Sequence, residues 1–199
     1  MENLLQEAQQ NTKEAFSVLR KTRAVSAWEL RGATVRLVGS LASGLYYDSR
    51  DIDLHVYTDV MDMESAFAAM GAIASVPGVK KVSFDNLLDA PDACCEWHVS
   101  YQDEQGKNWT LDIIHIAPQS RYVGYFEKQA ETIKNMLNDE TRLAILNIKK
   151  ALASGKEHIS GIWIYLAVLK GGVRTEQDFR TWYAKQDKNQ IIEWPEAAR

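Results

Sequence analysis

The stretch Val38-Gly39-Ser40-Leu41-Ala42-Ser43-Gly44-Leu45-Tyr46-Tyr47-Asp48-Ser49-Arg50-Asp51-Ile52-Asp53-Leu54 decides how this 199-residue chain is read. A run of β formers, Thr34-Val35-Arg36-Leu37-Val38, ends in Gly39-Ser40. Ten residues follow, and a second run, Asp51 to Tyr57, opens Asp-Ile-Asp. Side chains repeat every two residues along a strand, so Asp51 and Asp53 project from one face. Two carboxylates so placed repel each other unless a cation neutralises them or one is protonated. Hard oxygen donors of this kind suit magnesium, which takes one or two carboxylates and completes its shell with waters and substrate phosphates. Gly39 has no Cβ, so a phosphate can approach the backbone there. Ser40 adds a hydroxyl donor where a helix can start, and the free N–H groups of a helix start attract anions. A phosphate cradle beside a cation-binding pair is what nucleotide chemistry requires.

A third carboxylate strengthens the reading. Asp112 lies in Thr110-Leu111-Asp112-Ile113-Ile114-His115-Ile116, an otherwise apolar strand. An aspartate buried there without a partner would cost several kcal/mol, so it needs a cation or a donor. If its strand neighbours that of Asp51 and Asp53, three carboxylates converge. Two magnesium ions could then bridge a triphosphate and activate an attacking hydroxyl.

The surrounding chain is read by periodicity. A helix is expected over 2–30, with Gly32 as its stop, and another over 62–75 capped by Asp62. Pro77-Gly78 turns the chain into a strand from Val79 to Phe84. Residues 94–116 form a hairpin, with Trp97, Val99 and Tyr101 alternating on one arm and a turn from Gln102 to Asn108. Beyond Pro118 the pattern becomes helical, about 127–153, 157–170 and 175–186, broken at Gly155 and Gly171-Gly172. The expected fold class is α/β (α+β), a mixed central β-sheet flanked by helices and followed by a C-terminal helical module. The expected division is 1–120 for the sheet-bearing domain and 121–199 for the helical module.

Composition sets the outer bounds. Hydrophobic residues make up 46% and charged residues 25%, ordinary globular values that exclude disorder, collagen and coiled coil. No apolar run approaches the ~18 residues of a membrane span, and residues 1–7 lack the pattern of a signal peptide. Adjacent Cys94 and Cys95 cannot build a disulfide framework, so a cytoplasmic location is expected. The net charge of −4 argues against a dedicated nucleic-acid binder. It is unevenly shared: residues 1–120 carry 10 basic and 17 acidic side chains, and residues 121–199 carry 13 and 10. A cleft with an acidic, metal-binding wall and a basic, phosphate-facing wall would account for the split, as would two ordinary solvated surfaces.

Other residues attract notice. His115, three positions past Asp112, falls on the opposite face and is expected to be packed. His98, two before Ser100, can reach the face of the carboxylates. Cys94, Cys95 and His98 lack the second ligand pair of a zinc site, and Gly39 to Ser43 does not match the Gly-x-Ser-x-Gly of a hydrolase elbow. Trp163, Tyr165, Trp182 and Tyr183 belong to the core of the late helices, with some of them available to line a cleft.

Gly39, Ser40, Asp51, Asp53 and Asp112 match a known pattern: hydrophobic strand, Gly-Ser, a spacer near ten residues, Asp-x-Asp, and a third Asp on a later strand. The sequence thereby resembles the nucleotidyltransferase superfamily that includes DNA polymerase beta. It is most similar to small stand-alone bacterial members, including minimal nucleotidyltransferases and aminoglycoside- and lincosamide-modifying enzymes. The motif match covers 34–116, and for the helical part the likeness is architectural.

The resemblance implies magnesium-dependent transfer of a nucleoside monophosphate from ATP or another triphosphate to a hydroxyl, releasing pyrophosphate. A small hydroxylated molecule is the expected acceptor. Asp51 and Asp53 would hold two Mg2+ ions, Gly39 and Ser40 the triphosphate, and Asp112 a metal or the acceptor's proton. Leu41, Ala42 and Ser43 stand where small bacterial members often carry a basic residue. Phosphate neutralisation then falls to Arg50, Lys149 and Lys150. The chain is short and acidic for a template-directed polymerase, so no stable nucleic-acid partner and no membrane are expected. The alternatives are a regulatory nucleotide-binding protein of the same fold, antitoxin-like and paired with a helical protein, or a protein AMP-transferase. A homodimer is compatible with any of these.

Overall fold

Alternation of apolar and polar residues builds a five-stranded sheet in the order β1-β2-β5-β4-β3. Its strands are β1 (Thr34–Leu37), β2 (Asp51–Tyr57), β3 (Val79–Leu87), β4 (Cys94–Gln102) and β5 (Asn108–Ile116). Only β2 and β5 run parallel, so the sheet is mixed. The computed structural model describes residues 2–155, 157–188, 192 and 194.

One face of the sheet is the main core. Ile52, Leu54 and Val56 of β2, Leu111 and Ile113 of β5, and Trp97, Val99 and Tyr101 of β4 are all buried on it. They pack under α1 (Glu2–Thr22), the short α2 (Ser26–Glu29) and α4 (Met63–Ala74). Fully burying an aliphatic or aromatic side chain is worth roughly 1.5–3 kcal/mol, so this layer holds the sheet flat against its helices. His115 lies on the same side, buried, with Nε2 2.8 Å from Thr58 Oγ1 and its ring against Trp28, as its parity predicts.

The opposite face carries the polar alternates, and register brings three of them into one row. Asp53 of β2 is opposite Asp112 of β5, which is opposite His98 of β4. Over this face lie α5 (Tyr125–Met136), α6 (Asp139–Ser154) and α7 (Gly161–Leu169). With α8 (Glu176–Tyr183) they form a second apolar cluster around Ile145, Ile148, Ala167 and Phe179, into which Leu45 inserts. Leu4 and Ala8 of α1 meet Tyr47 and Leu146 of α6 in a third. No helix among the described residues is long and apolar enough to cross a membrane.

Four elements differ from expectation. The helix expected over 2–30 breaks after Thr22, because Arg23 turns left-handed (φ 57) and swings Ala24, Ala27 and Trp28 into the core. The strand expected to end at Phe84 continues to Leu87, since β4 pairs with it as far as Cys94. The helix expected over 127–153 is two. Asn138 caps α6, accepting from Thr141 N at 2.9 Å while its own N–H donates to Thr141 Oγ1 at 3.0 Å, a reciprocal cap that starts a new helix. Finally, α7 begins at Gly161 rather than 157, and residues 157–160 form a non-helical lead-in. The 175–186 helix is α8, capped by Thr175.

Candidate active site

The turn after β1 is shaped to meet β2. Val38 N donates to Asp53 O at 3.1 Å, and Gly39 then takes a left-handed conformation, φ +66. A Cβ at Gly39 would lie 2.8 Å from Asp53 Cγ, so any other residue there would push the Asp53 side chain from its place. Gly39–Ala42 forms a single helical turn, α3. Buried Ser43 clamps it, its Oγ donating to Gly39 O at 3.1 Å and to Ser40 O at 3.2 Å.

Gly39, Ser40, Asp51, Asp53, Asp112 and Lys149 line one cleft of about 1060 Å³ between the polar face and the helices. Burial raises Asp53 to about 6, reinforced by the neighbouring charges of Asp112 and Asp51 and opposed by Lys149. Burial also raises Asp51, with Asp112 adding and His158 opposing. Desolvation is the larger cause of both shifts, and repulsion among carboxylates on neighbouring strands adds to it.

Lys149 Nζ donates to Leu45 O at 2.8 Å and sits 5.2 Å from the centre of the Tyr165 ring. Tyr165 lines the cleft beside Ile162 and Ile164, while Trp163, Trp182 and Tyr183 pack together. Lys150 is placed elsewhere. Successive residues on a helix point about 100° apart, and Lys150 turns to Glu7 of α1, 2.8 Å away. The same Glu7 accepts from Tyr47 Oη at 2.8 Å. Arg50, left-handed at φ 55, has Nε 3.5 Å from Asp48 and does not line the cleft. Neither basic residue is brought to the carboxylates.

Asp112 has the donor its surroundings demanded. His98 Nδ1 is 2.6 Å from Asp112 Oδ1, and this hydrogen bond, ahead of opposing desolvation, raises His98 above the usual histidine range. Glu96 Oε2 lies 3.7 Å from His98 Nε2. Glu96 is not singled out by any motif, yet Glu96-Trp97-His98-Val99-Ser100-Tyr101 alternates and so assigns it to the polar face. Glu157 and His158 also line the cleft, from the non-helical segment before α7. Deeper in, His55 is buried and thereby lowered, with Nδ1 3.4 Å from Tyr57 Oη. Tyr57 Oη in turn donates to Glu127 at 2.6 Å, tying β2 to α5.

The donor set fits magnesium. Among the described residues no three His, Cys, Asp or Glu side chains are gathered around one point as a complete ligand set. Magnesium does not require it, because one or two carboxylates with waters and substrate phosphates fill its octahedron. Asp51, Asp53 and Asp112 supply hard oxygens whose mutual repulsion a divalent cation would relieve.

No protein-family model matches the sequence, and no curated protein is significantly similar to it. Solved structures are similar in fold. A Cid1 poly(U) polymerase structure with MgGTP bound aligns with a TM-score of 0.56 at 18% identity, over 80% of this chain and 49% of that one. A Cid1 structure analysed for RNA terminal uridylyl transferase activity gives 0.59 at 16% identity, over 80% and 48%. The poly(A) polymerase complex GLD-2–GLD-3 gives 0.54 at 10% identity, over 96% and 67%. The chain spans about half the length of the Cid1 chains it matches. With Gly39-Ser40 at the end of β1, Asp51 and Asp53 on β2 and Asp112 beside them on β5, the fold is that of the nucleotidyltransferases.

Proposed function

We propose that the protein transfers a nucleoside monophosphate from ATP or another triphosphate to a hydroxyl of a small molecule. The observation that carries this is the row of Asp53 and Asp112 on parallel strands, with Asp51 two residues before Asp53 and Gly39-Ser40 against it in one cleft. In this reading Asp51, Asp53 and Asp112 would hold magnesium, which would supply charge neutralisation at the triphosphate and a more acidic acceptor hydroxyl. Gly39 leaves room for a phosphate at the backbone, and Ser40 offers a hydroxyl donor. Lys149 adds the positive charge within the cleft. The acceptor oxygen bonds to the α-phosphorus and the bond from that phosphorus to the bridging oxygen breaks. Pyrophosphate leaves with the electron pair, and Asp112 takes the hydroxyl proton. We assign this chemistry to residues 1–120 and acceptor selection to the helices of 121–199.

A small acceptor is favoured by the charge of the cleft. Among the described residues its lining carries Asp48, Asp51, Asp53, Glu96, Asp112 and Glu157 against Lys149 as the one lysine or arginine. An RNA strand would bring phosphates to a wall with little to neutralise them. RNA is the second reading, because the similar folds include Cid1, a poly(U) polymerase with RNA terminal uridylyl transferase activity, and the poly(A) polymerase complex GLD-2–GLD-3.

The test incubates the protein with each α-labelled triphosphate and magnesium, offering a panel of amino sugars and polyols, a short oligouridylate, and no acceptor. Pyrophosphate release with label on a small acceptor, lost in D53N, is expected. Label on RNA selects the second reading, label on the protein selects protein AMP-transfer, and equal turnover in D53N removes the assignment.

A further inference from the structure

His98 and Asp112 are register partners on antiparallel strands, and their side chains meet on the face of the sheet that lines the cleft. The 2.6 Å separation of Nδ1 and Oδ1 is that of a charge-assisted hydrogen bond. On its other side the ring is flanked by Glu96, with Oε2 3.7 Å from Nε2. His98 is therefore held between two carboxylates on a surface where packing does not require it, its side chain 38% exposed. Ser83 is its partner on β3.

An aspartate that faces a cleft can turn about χ1 and χ2, and a carboxylate that must meet a cation or a hydroxyl at one position loses effectiveness as it turns. One donor bound to Oδ1 removes that freedom while leaving Oδ2 uncommitted. We propose that His98 is a positioning residue for Asp112, its Nδ1–H fixing the carboxylate so that Oδ2 is presented to the metal or the acceptor. The proposal rests on the nucleotidyl-transfer reading for its consequence in turnover, but not for the geometry it asserts. Outer partners of metal-binding side chains commonly contribute about 10–100-fold to metal affinity or rate.

The test compares H98A, H98N and H98Q. The Nδ2 of asparagine occupies about the place of the histidine Nδ1, and the Nε2 of glutamine that of the far nitrogen. Mn2+ is titrated into the metal-free protein, giving a readout that needs no substrate. Long-range 15N–1H correlation reports which nitrogen of His98 carries the proton. H98A is expected to weaken Mn2+ binding about tenfold and to lower kcat by about 10–100-fold, with KM for the triphosphate unchanged. H98N should recover most of both losses and H98Q little. Wild type should show a protonated Nδ1 whose signal moves in D112N. Unchanged Mn2+ affinity in H98A, or equal recovery by asparagine and glutamine, would overturn the positioning role. If His98 governs Mn2+ binding but no triphosphate is turned over, the functional reading fails and the positioning role stands. If turnover proceeds and H98A matches wild type, the reverse holds.

Discussion

Gly39 and Asp53 are in van der Waals conflict with any side chain but hydrogen at position 39: the Cβ of an alanine would lie 2.8 Å from Asp53 Cγ. The backbone at Gly39 is also left-handed, φ +66, which adds about 1–2 kcal/mol of strain for an L side chain. In G39A, Asp53 must move. Displacement of a catalytic group by about 1 Å can cost about 100-fold in rate. We expect G39A to lose that much kcat while its far-ultraviolet circular dichroism stays that of the wild type. Full activity in G39A would mean that Asp53 need not stand where it does.

Asp53 works against the fold that holds it. Its folded-state value near 6 exceeds the roughly 3.9 of an unfolded aspartate, so the folded protein binds this proton more tightly. The destabilisation is absent below about pH 4, grows as pH rises through about 6, and is complete above it. D53N removes it. Without metal, D53N should be more stable than wild type by about 1–3 kcal/mol at neutral pH and equal to it at acid pH. Magnesium should raise the melting temperature of wild type and leave D53N unmoved. Thermal melts at two pH values, with and without the ion, check all three, and a D53N less stable at neutral pH would contradict them.

Lys149 and Lys150 are neighbours in sequence with opposite surroundings. Lys149 Nζ lines the cleft and tempers Asp53, whereas Lys150 Nζ binds Glu7 across to α1. K149Q should raise KM for the triphosphate about tenfold, the equivalent of about 1.4 kcal/mol. K150Q should leave KM alone and shift the melting temperature little, because an exposed ion pair is screened by solvent. Steady-state kinetics and melts on both variants decide it, and an equal rise in KM would put Lys150 back at the phosphates.

Asn138 divides what reads as one helix. Losing its cap should cost about 1 kcal/mol in N138A, or about 2–4 °C in melting temperature for a chain of this size. A calorimetric scan measures it, and no change would mean that packing alone sets the start of α6.

What could be read in advance follows from how far each feature reaches along the chain. Gly39, Ser40, Asp51 and Asp53 were legible because one strand, one turn and the next strand carry them, and strand parity assigns their face. Asp112 announced itself by being polar among Leu111, Ile113 and Ile114. The rotation of α6, which separates Lys149 from Lys150, depends on packing against α1 through Leu4, Ala8 and Leu146. The partnership of His98 with Asp112 depends on hairpin register, where a shift of one residue would send His98 to the covered face. The break at Asn138 had its local signal, a capping residue three before Thr141, obscured by helical periodicity on both sides.

The acceptor can be tested by salt before it is identified. A protein that neutralises nucleic-acid phosphates with lysines and arginines loses affinity steeply with ionic strength, by about 10³–10⁵ between roughly 50 and 200 mM for 6–10 contacts. Among the described residues the cleft offers Lys149, which already donates to Leu45 O and faces Tyr165. Glu157 is held by Arg180 in a pair of hydrogen bonds of 2.6 and 3.0 Å, which leaves that arginine occupied at the rim. Any affinity for a short oligouridylate should therefore be weak and change by less than about threefold over the same salt range. Fluorescence anisotropy of a labelled strand, with and without a non-hydrolysable triphosphate and magnesium, measures it. A steep salt slope that appears only with the nucleotide bound would place the RNA end at the carboxylates and overturn the small-acceptor reading while leaving nucleotidyl transfer intact.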